Sequence, residues 1–82
     1  MEIDHESATP VYLQLAAILR AQIKSGEIPP DRALPSVKVL VQIYGVAQGT
    51  AEKSVRVLRD EGLVQTVMGR GTFVSPPEDR GN

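Results

Sequence analysis

Cysteine and tryptophan are missing from these 82 residues, and aromatics of any kind make up 4%. Without cysteine there is no disulfide framework and no thiolate metal site. Two tyrosines and one phenylalanine are too few to build the stacking platforms that hold single-stranded nucleic acid. Histidine occurs once, as His5 in a polar leader, with no second ligand at metal-site spacing. It reads as an ordinary surface residue, and no metal site is expected. No apolar run approaches the roughly 18 residues of a membrane span, and no signal peptide opens the chain. A soluble cytoplasmic protein without a membrane partner is the expectation. Catalytic signatures are also missing. No nucleophile–base pair or set of convergent carboxylates appears, and Gly69-Arg70-Gly71 lacks the lysine of a phosphate cradle. Neither an enzyme, nor a catalytic residue, nor a cofactor is expected.

Net charge is also scarce, at −1 overall, which speaks against a nucleic-acid binder held by bulk electrostatics. The distribution is less neutral than the total. Residues 1–35 carry five acidic and three basic side chains, whereas residues 36–75 carry five basic (Lys38, Lys53, Arg56, Arg59, Arg70) and three acidic (Glu52, Asp60, Glu61). What is present is an apolar fraction of 41%, enough for one small core in one domain.

Taken in order, residues 1–8 form an acidic leader without periodicity, expected to be loose. Thr9-Pro10 is a helix-start signal, with Thr9 as cap and Pro10 in the first helical position. Tyr12, Leu15, Leu19 and Ile23 then recur on one face, widened by Ala16 and Ile18, up to about Ser25 and a stop at Gly26. Leu13 and Ala17 fall on the outer face. They are either scattered surface apolar residues or a patch for self-association. The prolines of Ile28-Pro29-Pro30 forbid helix, and Ala33-Leu34 suits a two-residue edge strand. Ser36 is placed to cap a second helix whose Val37, Leu40, Val41 and Tyr44 share a face, ended by Gly45. A third helix runs from about Gln48 to Glu61, with Ala51, Val55 and Leu58 as its core stripe and Gly49, Lys53, Arg56 and Asp60 opposite. Leu63–Val67 and Thr72–Val74 read as strands joined by a turn at Met68–Gly71. Residues 76–82 read as a disordered tail. The expected fold is mainly α with a small β-hairpin. It is a three-helix winged helix-turn-helix over residues 9–75, whose last helix is shaped for the major groove of DNA.

Particular residues carry a family resemblance. Pro10-Val11-Tyr12-Leu13-Gln14, Leu34-Pro35-Ser36, Gly45-Val46, Thr50, Glu61-Gly62-Leu63-Val64 and Gly69-Arg70-Gly71-Thr72-Phe73-Val74 together resemble the N-terminal DNA-binding domain of the GntR family of bacterial transcription regulators. Leu34–Lys38 and the Thr50-x-x-Lys53 pattern are similar to its short, YtrA-like branch. The resemblance implies a sequence-specific binder of double-stranded operator DNA, a repressor, with helix 48–61 in the major groove and wing 68–72 at the minor groove or backbone. Carried over by position, it nominates Ser36, Lys38, Gln48, Gly49, Thr50, Lys53, Arg56, Gly69, Arg70, Gly71 and Thr72 as DNA contacts. Gln48 has the geometry to pair with adenine, and Thr50 to meet phosphate or a thymine methyl. Arg70 suits a narrow minor groove. Family regulators usually append an effector-sensing or dimerising domain. No small-molecule effector site is expected within this chain, and a homodimer would have to use its own surface or the DNA.

Departures from the family pattern temper this. Many members begin the recognition helix with Ser-Arg or Asn-Pro, whereas this chain has Ala47-Gln48. Ala47 cannot cap, at a cost of about 1 kcal/mol. Glu52 stands where arginine is frequent and repels phosphate, although it has the acceptors to meet cytosine N4. An unusual operator and low affinity are the expectation. Plainer readings compete. Lys53, Arg56 and Arg59 also fit a solvated helix face with pairs such as Glu52–Arg56, and Gly69-Arg70-Gly71 also fits an ordinary hairpin turn. The alternative function is a winged-helix protein–protein module with weak or no DNA binding, favoured by Glu52, the acidic balance and Leu13.

Overall fold

The computed structural model describes residues 3–76. The expected tail therefore lies, except for Pro76, outside the described residues. Three helices are followed by a hairpin: α1 Val11–Ser25, α2 Val37–Tyr44, α3 Gln48–Asp60, β1 Val64–Val67 and β2 Gly71–Val74. The strands are antiparallel, with Val64 opposite Val74 and Val67 opposite Gly71.

The start of α1 differs from the expectation in one detail. Pro10, not Thr9, is the cap residue, and no side chain caps the helix there. Pro10 holds an extended ψ of 142°, and its carbonyl receives the amides of Leu13 and Gln14. The Gln14 side chain instead ties the leader to the helix. Its Nε2 donates to the carbonyls of Asp4 and Thr9 at 2.9 and 2.8 Å, and its Oε1 accepts from the Asp4 amide at 2.8 Å. The leader, expected to be loose, is thus bonded to the first turn of α1, and Ile3 packs partly buried against the core.

Leu15, Ala16, Leu19 and Ile23 of α1 are buried against Ala51 and Leu58 of α3, Leu40 of α2, and Val64 and Val74 of the hairpin. Leu15, Leu19, Leu40 and Leu58 are wholly inaccessible, each contributing about 1.5–3 kcal/mol from removal of apolar surface. The α3 stripe is shifted from the expected one. Ser54 is buried completely, whereas Val55 is only half-buried. The Ser54 hydroxyl lies 2.8 Å from the Tyr12 carbonyl on α1 and 2.9 Å from the Thr50 carbonyl, so it is satisfied within the α1–α3 seam.

Two local devices set the angle of the helical pair. Ser36 Oγ accepts from the Val39 amide at 3.2 Å and starts α2 as expected. Gly45 ends α2 at φ 65°, a left-handed conformation that costs glycine little and a β-carbon-bearing residue more. That turn sends the chain through buried Val46 into α3. The Ala33–Leu34 strand is realised as a single bridge residue. Ala33 pairs with Phe73, and the flanking bonds run Leu34 N–H to Thr72 O and Val74 N–H to Arg32 O, both 2.8 Å. The segment therefore covers the outer edge of β2 and pins the hairpin to the start of α2.

Candidate nucleic-acid interface

Exposure sorts the eleven nominated residues. Lys38, Gln48, Gly49, Lys53, Arg56, Gly69, Arg70 and Gly71 are exposed, as is Ser36, while Thr50 and Thr72 are half-buried. They sit in three places: the start of α2, the exposed side of α3, and the wing from the turn after β1 into the start of β2.

The α3 face is built by its own periodicity. With Ala51, Ser54 and Leu58 turned inward, Gly49, Lys53 and Arg56 must turn outward. The face is less free than its sequence suggests. Gln48 Nε2 donates to Glu52 Oε2 at 3.2 Å, one turn along. Glu52 is thereby engaged toward the helix start, and the expected Glu52–Arg56 pair is not formed; among the described residues the ion pair present is Arg20–Glu61. Lys53 Nζ lies 4.6 Å from the centroid of the Tyr12 ring, a cation–π contact reaching back to α1. Arg59 Nη1 donates to Thr66 Oγ1 at 3.3 Å and so bridges α3 to β1. The side chains of Lys38, Arg56 and Arg70 make no hydrogen bond or ion pair among the described residues, so these three cations face solvent uncommitted.

Two shallow depressions lie beside α3. One, of about 260 Å³, is lined by residues 33–37, Val55 and residues 70–72. It gathers Ser36, Arg70, Gly71 and Thr72 between the start of α2, the middle of α3 and the hairpin. The other, of about 350 Å³, is bounded by Val37, Glu52, Val55, Arg56 and Arg59. Val37 and Val55 border both, so the two form one trough with arginines at either end. Lys38, Gln48, Gly49, Thr50 and Lys53 line neither; they stand on the helix starts. The trough is open and shallow, suited to an extended anionic edge more than to a small molecule.

The hairpin tip is narrow. Arg70 N–H donates to Val67 O at 3.0 Å, and Gly69, third in that turn, has φ 77°, the positive φ that a type II-like turn requires there.

One ion pair anchors the far end of α3. Arg20 Nε and Nη2 donate to the two oxygens of Glu61 at 2.8 and 2.6 Å. This two-pronged bond holds the Glu61 carboxyl below its ordinary range and raises the Arg20 guanidinium. Sequence reading missed the pair, since the partners lie 41 positions apart in the chain. Ser54 was more accessible to foresight, because Ala51, Ser54 and Leu58 follow an i, i+3, i+7 spacing.

A helix-turn-helix with a hairpin beside its second member now stands on geometry alone, and sequence comparison decides the family. The profile described as "Bacterial regulatory proteins, gntR family" matches residues 11–74. The chain belongs to the GntR family. Its fold is the winged helix-turn-helix expected from the sequence, α2 and α3 forming the helix-turn-helix and β1–β2 the wing. The transcriptional repressor NagR of Bacillus subtilis is 40% identical over 78 residues, covering 95% of this chain and 32% of that relative. This GntR-family chain thus spans about a third of the length of that curated protein. Among solved structures, YtrA from Sulfolobus acidocaldarius, a GntR-family transcription factor, superposes with a TM-score of 0.83 at 37% identity, covering 92% of this chain and 79% of that one. The AraR DNA-binding domain in complex with operator ORE1 superposes at 0.80 with 32% identity, covering 92% and 94%.

Among the described residues, no group of three or more His, Cys, Asp or Glu side chains is placed to hold a metal ion. No described helix is long and apolar enough to cross a membrane.

Proposed function

We propose that this chain is the operator-binding unit of a bacterial transcription regulator acting as a repressor in the cytoplasm, with α3 in the major groove and the wing at the minor groove or flanking backbone. The observation that carries this is the superposition of 92% of the chain on a domain solved with its operator. The arrangement of cations supports it. Lys38, Lys53, Arg56 and Arg70 are exposed on the helix-turn-helix and its wing, and the acidic surplus lies upstream of Ser36. In this reading Gln48, Gly49 and Thr50 at the start of α3 meet base edges, and Lys38, Lys53 and Arg56 meet phosphates. Ser36, Arg70, Gly71 and Thr72 border the trough in which a backbone strand lies, and Gly69 holds the turn beside it. No small-molecule effector acts within residues 9–75, and pairing of two copies occurs on the two halves of a palindromic site.

Glu52 sets the character of the interface. Bonded to Gln48, it stands at the edge of the reading tip and disfavours any register that brings phosphate there. The result is a low-affinity reader with a preference at the base facing Gln48 and Glu52. Polarisation titration of a randomised duplex pool, followed by sequencing of the retained fraction, tests this. Enrichment of a palindromic site is the expected outcome, and retention with no sequence enrichment contradicts it.

Leu13, 39% exposed on α1, favours a second reading in which the chain binds a protein or a second copy of itself and not DNA. Sedimentation with and without duplex separates the two, since only this second reading gives association that duplex leaves unchanged.

A further inference from the structure

Met68 is the most exposed large apolar side chain of the described residues, at 95%, well beyond Ile43 at 62%. It occupies the second position of the wing turn, where proline or a polar residue is the usual choice. Its neighbours make the tip thin. Gly69 and Gly71 flank Arg70, and a β-carbon placed on either glycine would meet nothing within 4 Å. The wing thus ends in a bare backbone edge bearing two long side chains in near succession, one a thioether and one a guanidinium. Among the described residues neither makes a side-chain hydrogen bond or ion pair.

A thin apolar tip with an adjacent arginine is physically matched to a narrow minor groove. The negative potential of such a groove draws the arginine in. Methionine belongs to the small set of side chains that wedge between base steps and partly unstack them. Its three rotatable bonds and lack of branching let it enter a gap without a fixed shape.

We propose that Met68 is a minor-groove wedge, inserted at a flexible pyrimidine–purine step while Arg70 holds the wing in the groove. The inference rests on the operator-binding reading above and adds a source of sequence preference that base-edge contacts from α3 do not supply. Pyrimidine–purine steps unstack most cheaply, so they are selected beneath the wing without a hydrogen bond to any base.

The test uses the duplex enriched from the randomised pool, with an adenine analogue that fluoresces on unstacking walked through the positions flanking the α3 footprint. Wild-type protein raises the fluorescence at one step. Met68→Ala abolishes the rise and weakens binding by about fivefold or more, the order expected when a buried methionine is removed against a partly offsetting unstacking cost. Met68→Leu retains both effects. The salt dependence of binding is unchanged in Met68→Ala, because no charge is removed, whereas Arg70→Ala reduces it. As the side chain touches nothing that holds the fold, thermal unfolding of the variant should match wild type. Binding by Met68→Ala within twofold of wild type, or loss of affinity with no fluorescence change in either protein, overturns the wedge and leaves operator binding intact. Failure of wild type to bind any duplex overturns the operator reading and the wedge with it.

Discussion

The two helices of the helix-turn-helix begin in opposite ways. α2 is preceded by Ser36 at φ −64°, ψ 161°, whose hydroxyl caps the Val39 amide; α3 is preceded by Ala47 at nearly the same angles, φ −69°, ψ 154°, with no side-chain cap. Backbone geometry is therefore not the difference. What differs is how each helix is held. α2 is eight residues long and buries only Leu40 completely, so its own first turn must contribute. α3 has thirteen residues, buries Ala51, Ser54 and Leu58, and is tied at its far end by Glu61 to Arg20. Packing makes a cap on α3 dispensable, and its first amides remain without side-chain partners on the face proposed to meet DNA. Uncapped N–H groups at the positive end of a helix dipole favour an anion.

The comparison is most severely stressed by removing the packing on which α3 relies. Leu58→Ala should cost about 2–5 kcal/mol, since the site is fully enclosed and only partly able to collapse. Chemical denaturation with a shared m-value checks it, and a loss below about 1 kcal/mol would show that packing does not hold α3. The next effect is a matched pair. Ser36→Ala should destabilise by about 1 kcal/mol, and Ala47→Ser, whose backbone already has cap geometry, should stabilise by a similar or smaller amount. Equal and negligible changes at both positions would remove the contrast. The smallest effect belongs to the anchor. Glu61→Gln should lower stability at neutral pH by well under about 1 kcal/mol, because both partners are about a third exposed and solvent screens them. Since the folded carboxyl is held below its ordinary value, the wild-type advantage should be complete above the unfolded pKa of about 4.3. It should fade as pH falls through the lower folded value. Melting curves of the two proteins from neutral to acid pH read this directly.

Legibility in the sequence followed the range of the interaction. Periodicity placed α1, α2 and α3 to within a residue or two, because each buries one face. Gly26, Gly45 and Ser36 marked ends through chemistry confined to one turn. The wing followed from two short β-rich runs around Gly69. Thr9 was misjudged as a cap because Pro10, with its extended ψ, takes the cap position itself and leaves Thr9 one residue outside the helix. The expected α3 stripe named Val55 in place of Ser54, because a serine is buried only once a partner such as the Tyr12 carbonyl is brought beside it. The Arg20–Glu61 pair and the contact of Lys53 with the Tyr12 ring depend on the packing of α1 against α3, which no local pattern encodes. At the interface, residue types were readable but their engagement was not. Glu52 chose Gln48 over Arg56, and Arg59 turned to the wing.

In the proposed complex the exposed cations of α3 and the wing hold an operator duplex. The slope of log affinity against log salt tests it most directly, for wild type and for the Lys53→Ala, Arg70→Ala double variant on the same enriched duplex. Each phosphate that is no longer neutralised should reduce the slope by about 0.9, so the double variant should fall by up to about 1.8. Binding that is indifferent to salt, or a slope unchanged in the double variant, would contradict the account.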